Sequence, residues 1–473
     1  MSIQLHSFQN NFHLFFQIAL LALFGGTANY ILRSNINIAL VEMNNPNNSY
    51  GPYVNFTTYQ GGDNAEANVK NAAGQVKSAF FLGYVLTGIP AGKLTDVYGA
   101  KKTFALTTFL SSLLCSAIPL VSYMNLSSSA QVWAMYAIRM VQGMLQGPLF
   151  PSLTLVVNKW SPLSEKGKFI SVCYSCVLIG YIITFPMSGL IMEYLSWTWV
   201  FYITSLISLV WLLLWLVFMS ESPVEDKFIR TAERDYIVQF RQFDGQQDDS
   251  NLPLLPLMSD MLKNRAVWVD LLTIVSSDFG LAVIQNEGPD FISKILQLGK
   301  DIASNGFYSA LPFVLMGFLT PAVGAVADYA VGRKSVSQLN LQRIGICVSH
   351  LIPAAGFIGM PYLTSENNQY YCVALLSVCS GFFSARFISV DQNYIGLAPN
   401  RSGMVCGVVN GLANIAGFLA PISKAGLVQD DRNIVDWRNY FLFTAGVLAL
   451  GAGVFSLLAT TEVQPFNSKD YRG

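Results

Sequence analysis

Long apolar stretches alternate with short polar ones along almost the whole chain, and most of the apolar stretches are long enough to cross a membrane. A helix needs about 20 mostly apolar residues to span the hydrocarbon core. Backbone groups surrounded by lipid must bond within their own segment, so such runs read as helices. Six come first: α1 near 16–41, α2 near 75–95, α3 near 103–121, α4 near 132–157, α5 near 169–194 and α6 near 198–219. A stretch rich in Asp, Glu, Gln, Lys and Arg follows at 220–264. Six more runs come after it: α7 near 267–292, α8 near 305–327, α9 near 344–363, α10 near 371–394, α11 near 403–426 and α12 near 440–460. The pattern predicts an all-α membrane protein of twelve transmembrane helices. Its two six-helix halves, 1–219 and 265–473, are joined by a cytoplasmic central loop, 220–264.

Composition excludes the ordinary soluble classes. Hydrophobic residues make up 52% of the chain and charged ones 12%, against about 25% charged in soluble domains. Lys plus Arg and Asp plus Glu balance at 28 each, so there is no basic footprint for nucleic acid. The expected partners are the lipid bilayer and a small solute, with the chain acting as a monomer. Seven scattered cysteines imply no disulfide framework, and Cys173 and Cys176 read as packing within α5. The first apolar run lacks a basic flank and is long enough to span, so it does not read as a cleavable signal peptide.

Positive charge in the short loops sets the orientation. With the N-terminus in the cytoplasm, Lys93, Lys101, Lys102, Lys159, Lys166, Lys168, Arg333, Lys334, Arg343 and Arg401 share the inner side. Both termini then lie inside. Glycosylation sequons at Asn47, Asn55 and Asn125 fall in outer loops, where they can be modified, and Asn400 falls inside.

Two loops repeat one another half a chain apart. After α2 the chain reads Gly92-Lys93-Leu94-Thr95-Asp96-Val97-Tyr98-Gly99-Ala100-Lys101-Lys102. After α8 it reads Gly324-Ala325-Val326-Ala327-Asp328-Tyr329-Ala330-Val331-Gly332-Arg333-Lys334. Internal symmetry of this kind marks a two-halved transporter. Glycine lets helix ends approach closely, and the Asp can pair with a basic group or cap a neighbouring helix N-terminus. Gly92, Asp96, Gly99, Lys101, Lys102, Asp328, Gly332 and Arg333 are therefore expected to form an inner gate.

These loops resemble the signature of the major facilitator superfamily. A narrower resemblance, to the anion:cation symporter family, runs along nearly the whole chain. That family holds sodium/phosphate cotransporters, sialin and vesicular glutamate transporters. It is carried by Arg33-Ser34-Asn35-Ile36-Asn37-Ile38-Ala39-Leu40-Val41 in α1, Phe80-Phe81-Leu82-Gly83-Tyr84 and Ile89-Pro90-Ala91-Gly92 in α2, and Lys159-Trp160-Ser161-Pro162 after α4. Trp197 with Val200-Phe201-Tyr202, Asn305-Gly306-Phe307, Ser309-Ala310-Leu311-Pro312, Ala398-Pro399 and Gly407-Val408-Val409-Asn410 continue it.

Ionisable residues inside the bilayer cost about 2.5–3.5 kcal/mol on insertion scales, so those in the spans are functional candidates. Arg33 late in α1 and Arg139 early in α4 fall at similar depth. A guanidinium presents a planar fork of donors suited to carboxylate or phosphate, and the resemblance assigns substrate-anion contact to these two arginines. Gln142 and Gln146 share a face with Arg139, Asn29 and Asn37 share one with Arg33, and Lys77 and Asn410 complete the expected binding set. Asp278, Glu287, Arg386 and Asp391 are candidates for ion coupling or for salt bridges.

Three positions depart from the family's pattern. Gln146 stands where proton-coupled members carry Glu, Ser277 where some glutamate carriers have Arg, and Tyr394-Ile395-Gly396 replaces a His-Leu-Asp. An amide does not exchange a proton near neutral pH, so the coupling ion, Na⁺ or H⁺, stays open. The resulting expectation is secondary active, alternating-access transport of a small organic or inorganic anion, driven by Na⁺ or by the membrane potential, in the plasma or an endolysosomal membrane. Two alternatives are a proton-coupled symporter of acidic sugars or amino acids and a non-transporting sensor on the same scaffold. No cofactor or metal is expected, and hydrolase, zinc-protease and phosphate-loop motifs are absent from the sequence.

Overall fold

The computed structural model describes residues 13–43, 52, 54, 65–124, 126–162, 166–226, 229–240, 254–298, 302–332, 337–365, 368–399 and 402–468. All regular structure among them is helical. Each apolar run becomes one helical column. They are α1 (His13–Met43), α2 (Ala65–Tyr98), α3 (Ala100–Tyr123), α4 (Ser128–Trp160), α5 (Lys168–Tyr194) and α6 (Trp197–Phe218), then α7 (Arg265–Lys294), α8 (Ile302–Gly332), α9 (Gln338–Leu363), α10 (Gln369–Tyr394), α11 (Met404–Leu427) and α12 (Ile434–Leu458). Ten of these, α3 to α12, are long and apolar enough to cross a membrane by length and composition. α1 and α2 have 31 and 34 residues, enough to cross as well, and α2 carries a polar N-terminal extension. α2 starts well before its apolar run, in a segment of Ala, Glu, Lys and Gln that favours helix. The polar stretch between the halves carries two short helices, Thr231–Phe240 and Leu254–Lys263.

Glycines set the closest helix contacts. A Cβ on Gly143 of α4 would overlap the Phe80 carbonyl of α2, and one on Gly83 would overlap the Met140 carbonyl. This reciprocal approach through small residues is how helices bind where lipid supplies no hydrophobic drive. It sets the ring of Phe80 beside Arg139.

The two halves meet at one end and part at the other. Between α2 and α11, a Cβ on Gly74 would lie 3.1 Å from the Pro421 carbonyl and one on Gly88 would lie 3.3 Å from Gly411 Cα. Between α5 and α8, a Cβ on Gly189 would lie 2.9 Å from the Ile302 carbonyl. Towards the repeated loops the contact ends: Gly92 and Gly324 face open space.

Among the described residues, the expected gate does not assemble in this conformation. Asp96 and Lys102 are exposed, and Lys159 of its own half is a positive charge acting on Asp96. The N-terminus of α3 is capped instead by Glu221, which accepts from the backbone N–H groups of Ala100 at 2.9 Å and Lys101 at 3.0 Å. Lys159 donates to Glu221 at 2.7 Å. A carboxylate at a helix N-terminus takes up two of its orphan donors and meets the positive end of the dipole. Gly99 makes room for it: its φ is 84°, and a Cβ there would sit 2.5 Å from Glu221 Oε1. In the second loop Gly332 ends α8, while Arg333 and the Asp328 side chain lie outside the described residues, as do Asn47, Asn55 and Asn125.

Gly143→Val is expected to destabilise the fold by about 1–3 kcal/mol through overpacking, read as a lower melting temperature in detergent. Gly99→Ala should cost about 1–3 kcal/mol, because its φ of 84° with ψ of 156° is a conformation essentially restricted to glycine, with the same readout. Unchanged melting of either variant would contradict the packing described.

Candidate functional site

Arg33 lies between the halves in a box of aromatic rings. Its guanidinium carbon is 4.7 Å from the centroid of Phe81, 5.2 Å from those of Tyr30 and Phe80, and 5.7 Å from that of Tyr84. Each such contact contributes about 0.5–2 kcal/mol, but rings do not neutralise the charge. Among the described residues, no hydrogen-bond acceptor or carboxylate pairs with Arg33, and its Nε is buried without a partner. The side chain is half-buried. Beside it Tyr181 of α5 stacks on Phe313 of α8 at 4.6 Å, joining the two halves.

Arg139 sits behind Arg33 and is only 2% exposed. It shares the Phe80 ring at 4.8 Å. Its Nη groups donate to the Arg33 carbonyl at 2.9 Å, the Leu32 carbonyl at 3.4 Å and Gln142 Oε1 at 2.7 Å. Gln142 in turn donates to the carbonyls of Leu32 and Ser111, each at 3.4 Å. Arg139 therefore holds the α1 backbone at the level of Arg33. It brings a second uncompensated positive charge to the site but does not face open space. Gln146 is buried with its Nε2 unpartnered. Asn29 bonds Thr108 and Gly25 within its own half and is placed away from the site.

The C-terminal half presents acids. Arg386 pairs with Asp278 through a short contact and with Asp391 at 3.3 Å, which leaves this triad one negative charge in excess. Asp278 interacts electrostatically with Arg33 across the gap between the halves. Asn410 donates to Tyr394 Oη at 3.3 Å and Cys406 Sγ at 3.1 Å. His350 is fully buried and bonded to Ser276 and Ser349.

Lys77, Asn37 and Glu287 are drawn to the closed end instead. Asn37 donates to the Gln285 carbonyl and to Asn286 Oδ1, both at 3.1 Å, and Tyr181 donates to Gln285 Oε1 at 3.0 Å. Lys77 pairs with Glu287 and Asp290, each at 3.2 Å. Glu287 pairs with Lys77 and Lys424 rather than with Arg386 or Arg33. Lys77 is thus part of the closure between the halves and does not line the Arg33 box.

Three further residues in these networks were not singled out from the sequence, two of them despite a signal. Lys424 and Asp270 are ionisable residues inside apolar runs, so the rule that singles out Arg33 reaches them too. Asp270 is 0% exposed and bonded by Asn393 at 2.9 and 3.1 Å. Glu221 reaches its helix end only through the tertiary fold, and no local spacing announces it.

Comparison with known proteins agrees with this architecture. A model of the Major Facilitator Superfamily matches residues 22–421. Human sialin is 27% identical, with 97% of this chain and 92% of sialin covered. A putative inorganic phosphate cotransporter of Drosophila ananassae is 26% identical over 93% of this chain and 92% of its own length, and human vesicular glutamate transporter 2 is 24% identical over 95% and 74%. Among solved structures, a D-xylose-proton symporter superposes with a TM-score of 0.67 at 16% identity, covering 96% of this chain and 99% of its own. A bacterial homologue of the human lysosomal transporter Spinster gives 0.66 at 13%, covering 94% and 97%. The twelve helical columns, their two-halved arrangement and the family match together establish that this chain is a multi-pass membrane protein of the major facilitator superfamily.

Proposed function

We propose that this protein is a secondary active transporter of a small anion, bound at Arg33 between the two halves and carried by their rocking. The observation that carries the reading is the unpaired guanidinium of Arg33, backed by Arg139. Burying a charge without a partner is costly. A substrate carboxylate or phosphate supplies the missing counter-charge in the bidentate geometry an arginine favours. The names of the phosphate and glutamate transporters among the relatives point to anionic solutes as well.

The closed end at Lys77 and the open end at Asp96 fit one station of an alternating-access cycle. By the positive-inside pattern the Asp96 end is cytoplasmic, as are both termini and the central segment 220–264, and the rocking bodies are 1–219 and 265–473. The protein works as a monomer in the plasma or an endolysosomal membrane. A lone anion moving inward works against about 2.3 kcal/mol per charge per 100 mV, so a co-transported cation such as Na⁺, or export driven by the potential, resolves the load. The acid-rich Asp278–Arg386–Asp391 triad opposite Arg33 suits that balance. Gln146 carries no exchangeable proton for it.

In proteoliposomes, Arg33→Ala is expected to reduce saturable anion uptake at least about tenfold, a loss of ~1.4 kcal/mol or more. Arg33→Lys, which keeps the charge and loses the fork, should retain part of it. Arg139→Ala should also abolish uptake, by releasing the α1 carbonyls that set Arg33. Normal uptake by Arg33→Ala or Arg139→Ala, at normal membrane levels, would sink the assignment.

A further inference from the structure

The charge cluster at the closed end is built around one cation from the opposite half. Lys77 comes from α2, and Glu287, Asp290 and Lys294 come from α7. Lys424 comes from α11, and Asp431 lies just beyond it. Lys77 Nζ is 2.7 Å from the Asn286 carbonyl, 3.2 Å from Glu287 Oε2 and 3.2 Å from Asp290 Oδ2. Lys424 Nζ bonds the same two carboxylate oxygens at 2.8 and 2.9 Å and lies 4.7 Å from the Trp437 ring. Lys294 joins Asp290 at 3.4 Å and Asp431 at 3.0 Å. The three ammonium groups balance the three carboxylates. When the halves part at this end, Lys77 leaves with α2. The C-terminal half then keeps three acids and two lysines, a net charge of −1.

The backbone at this point is shaped to offer oxygen. Val283–Glu287 is a π-helical turn, and Pro289 two residues on has no N–H to give. The Gln285 carbonyl, left without the residue-289 N–H, accepts from Asn37, and the Asn286 carbonyl accepts from Lys77, both of the other half. Glu287 is 2% exposed, and its Oε1 has no hydrogen-bond partner. It lines a cavity of ≈ 30 Å³ together with Lys77, Asp290, Lys294, Lys424 and Asp431. That is room for a water or a small ion.

We propose that the oxygens gripping the Lys77 ammonium, the Asn286 carbonyl with Glu287 and Asp290, form a binding site for a small monovalent metal cation, for which Na⁺ is the probe. Hard oxygen ligands from carboxylates and unwound backbone carbonyls suit such an ion. Lys77 acts as a tethered competitor. It fills the site when this end closes, and the external cation fills it when the end opens. By linkage, the cation favours the conformation open at the Lys77 end. The inference rests on the alternating-access reading, but its test needs neither anion nor flux.

The test is equilibrium binding of radioactive Na⁺ to the purified full-length protein in detergent, with size-exclusion profiles checking the fold of each variant. If Lys77 occupies the site about nine-tenths of the time, Lys77→Gln should bind Na⁺ about tenfold more tightly than wild type. Glu287→Gln and Asp290→Asn should bind at background. The proposal is overturned if Lys77→Gln binds no more tightly than wild type, or if monodisperse Glu287→Gln and Asp290→Asn both retain wild-type binding. Loss of anion uptake in Arg33 variants leaves this result unaffected, so the two readings fail separately.

Discussion

A guanidinium group placed between two membrane-embedded halves with no carboxylate of its own is the constraint on which the rest of the site depends. Arg33 is accommodated by rings, which lower the cost of its burial without removing its charge. Arg139 is spent on holding the backbone that carries Arg33. Everything nearby then serves to keep this positive charge in place and accessible. Gly83 and Gly143 draw α2 and α4 together so that Phe80 lies against both arginines. Gln142 fixes the Arg139 fork.

The two ends of the molecule use different physics for one task. At the Lys77 end, closure is electrostatic and crosses between halves, with a buried lysine set among carboxylates. Such pairs are weak sources of stability but costly to break on one side only, which suits a contact that must be made and unmade. At the Asp96 end the described charges gather between the N-terminal half and the first residues of the central segment. Glu221 ties the start of α3 to Lys159. A unit braced in this way moves as one body while the opposite end opens or closes.

The fold was largely legible in the pattern of apolar runs, because lipid leaves a spanning segment little choice but helix. The helical columns fall on the runs, and the paired loops around Asp96 and Asp328 foretold the two-halved repeat. The site was legible in part. Arg33 and Arg139 stand out as charges in apolar runs, and their common depth follows from helical rise. What periodicity could not show was which of the two faces the gap, since that depends on the α2–α4 approach. Lys77 and Glu287 were visible as charges but not as partners, because the pairing joins α2 to a π turn in α7. The capping of α3 by Glu221 was likewise invisible, as Asp96 sits closer in sequence and Glu221 arrives only through the fold.

The most direct measurement of the central claim is flux into proteoliposomes of the purified protein with a panel of small solutes, imposing the Na⁺ gradient, the pH gradient and the voltage one at a time. Saturable uptake of one or more anions, mutually competitive and driven by a Na⁺ gradient or by voltage, with no uptake of neutral sugars of similar size, is the predicted result. Uptake of neutral solutes in preference to anions, or anion binding without flux under any imposed gradient, would contradict the account.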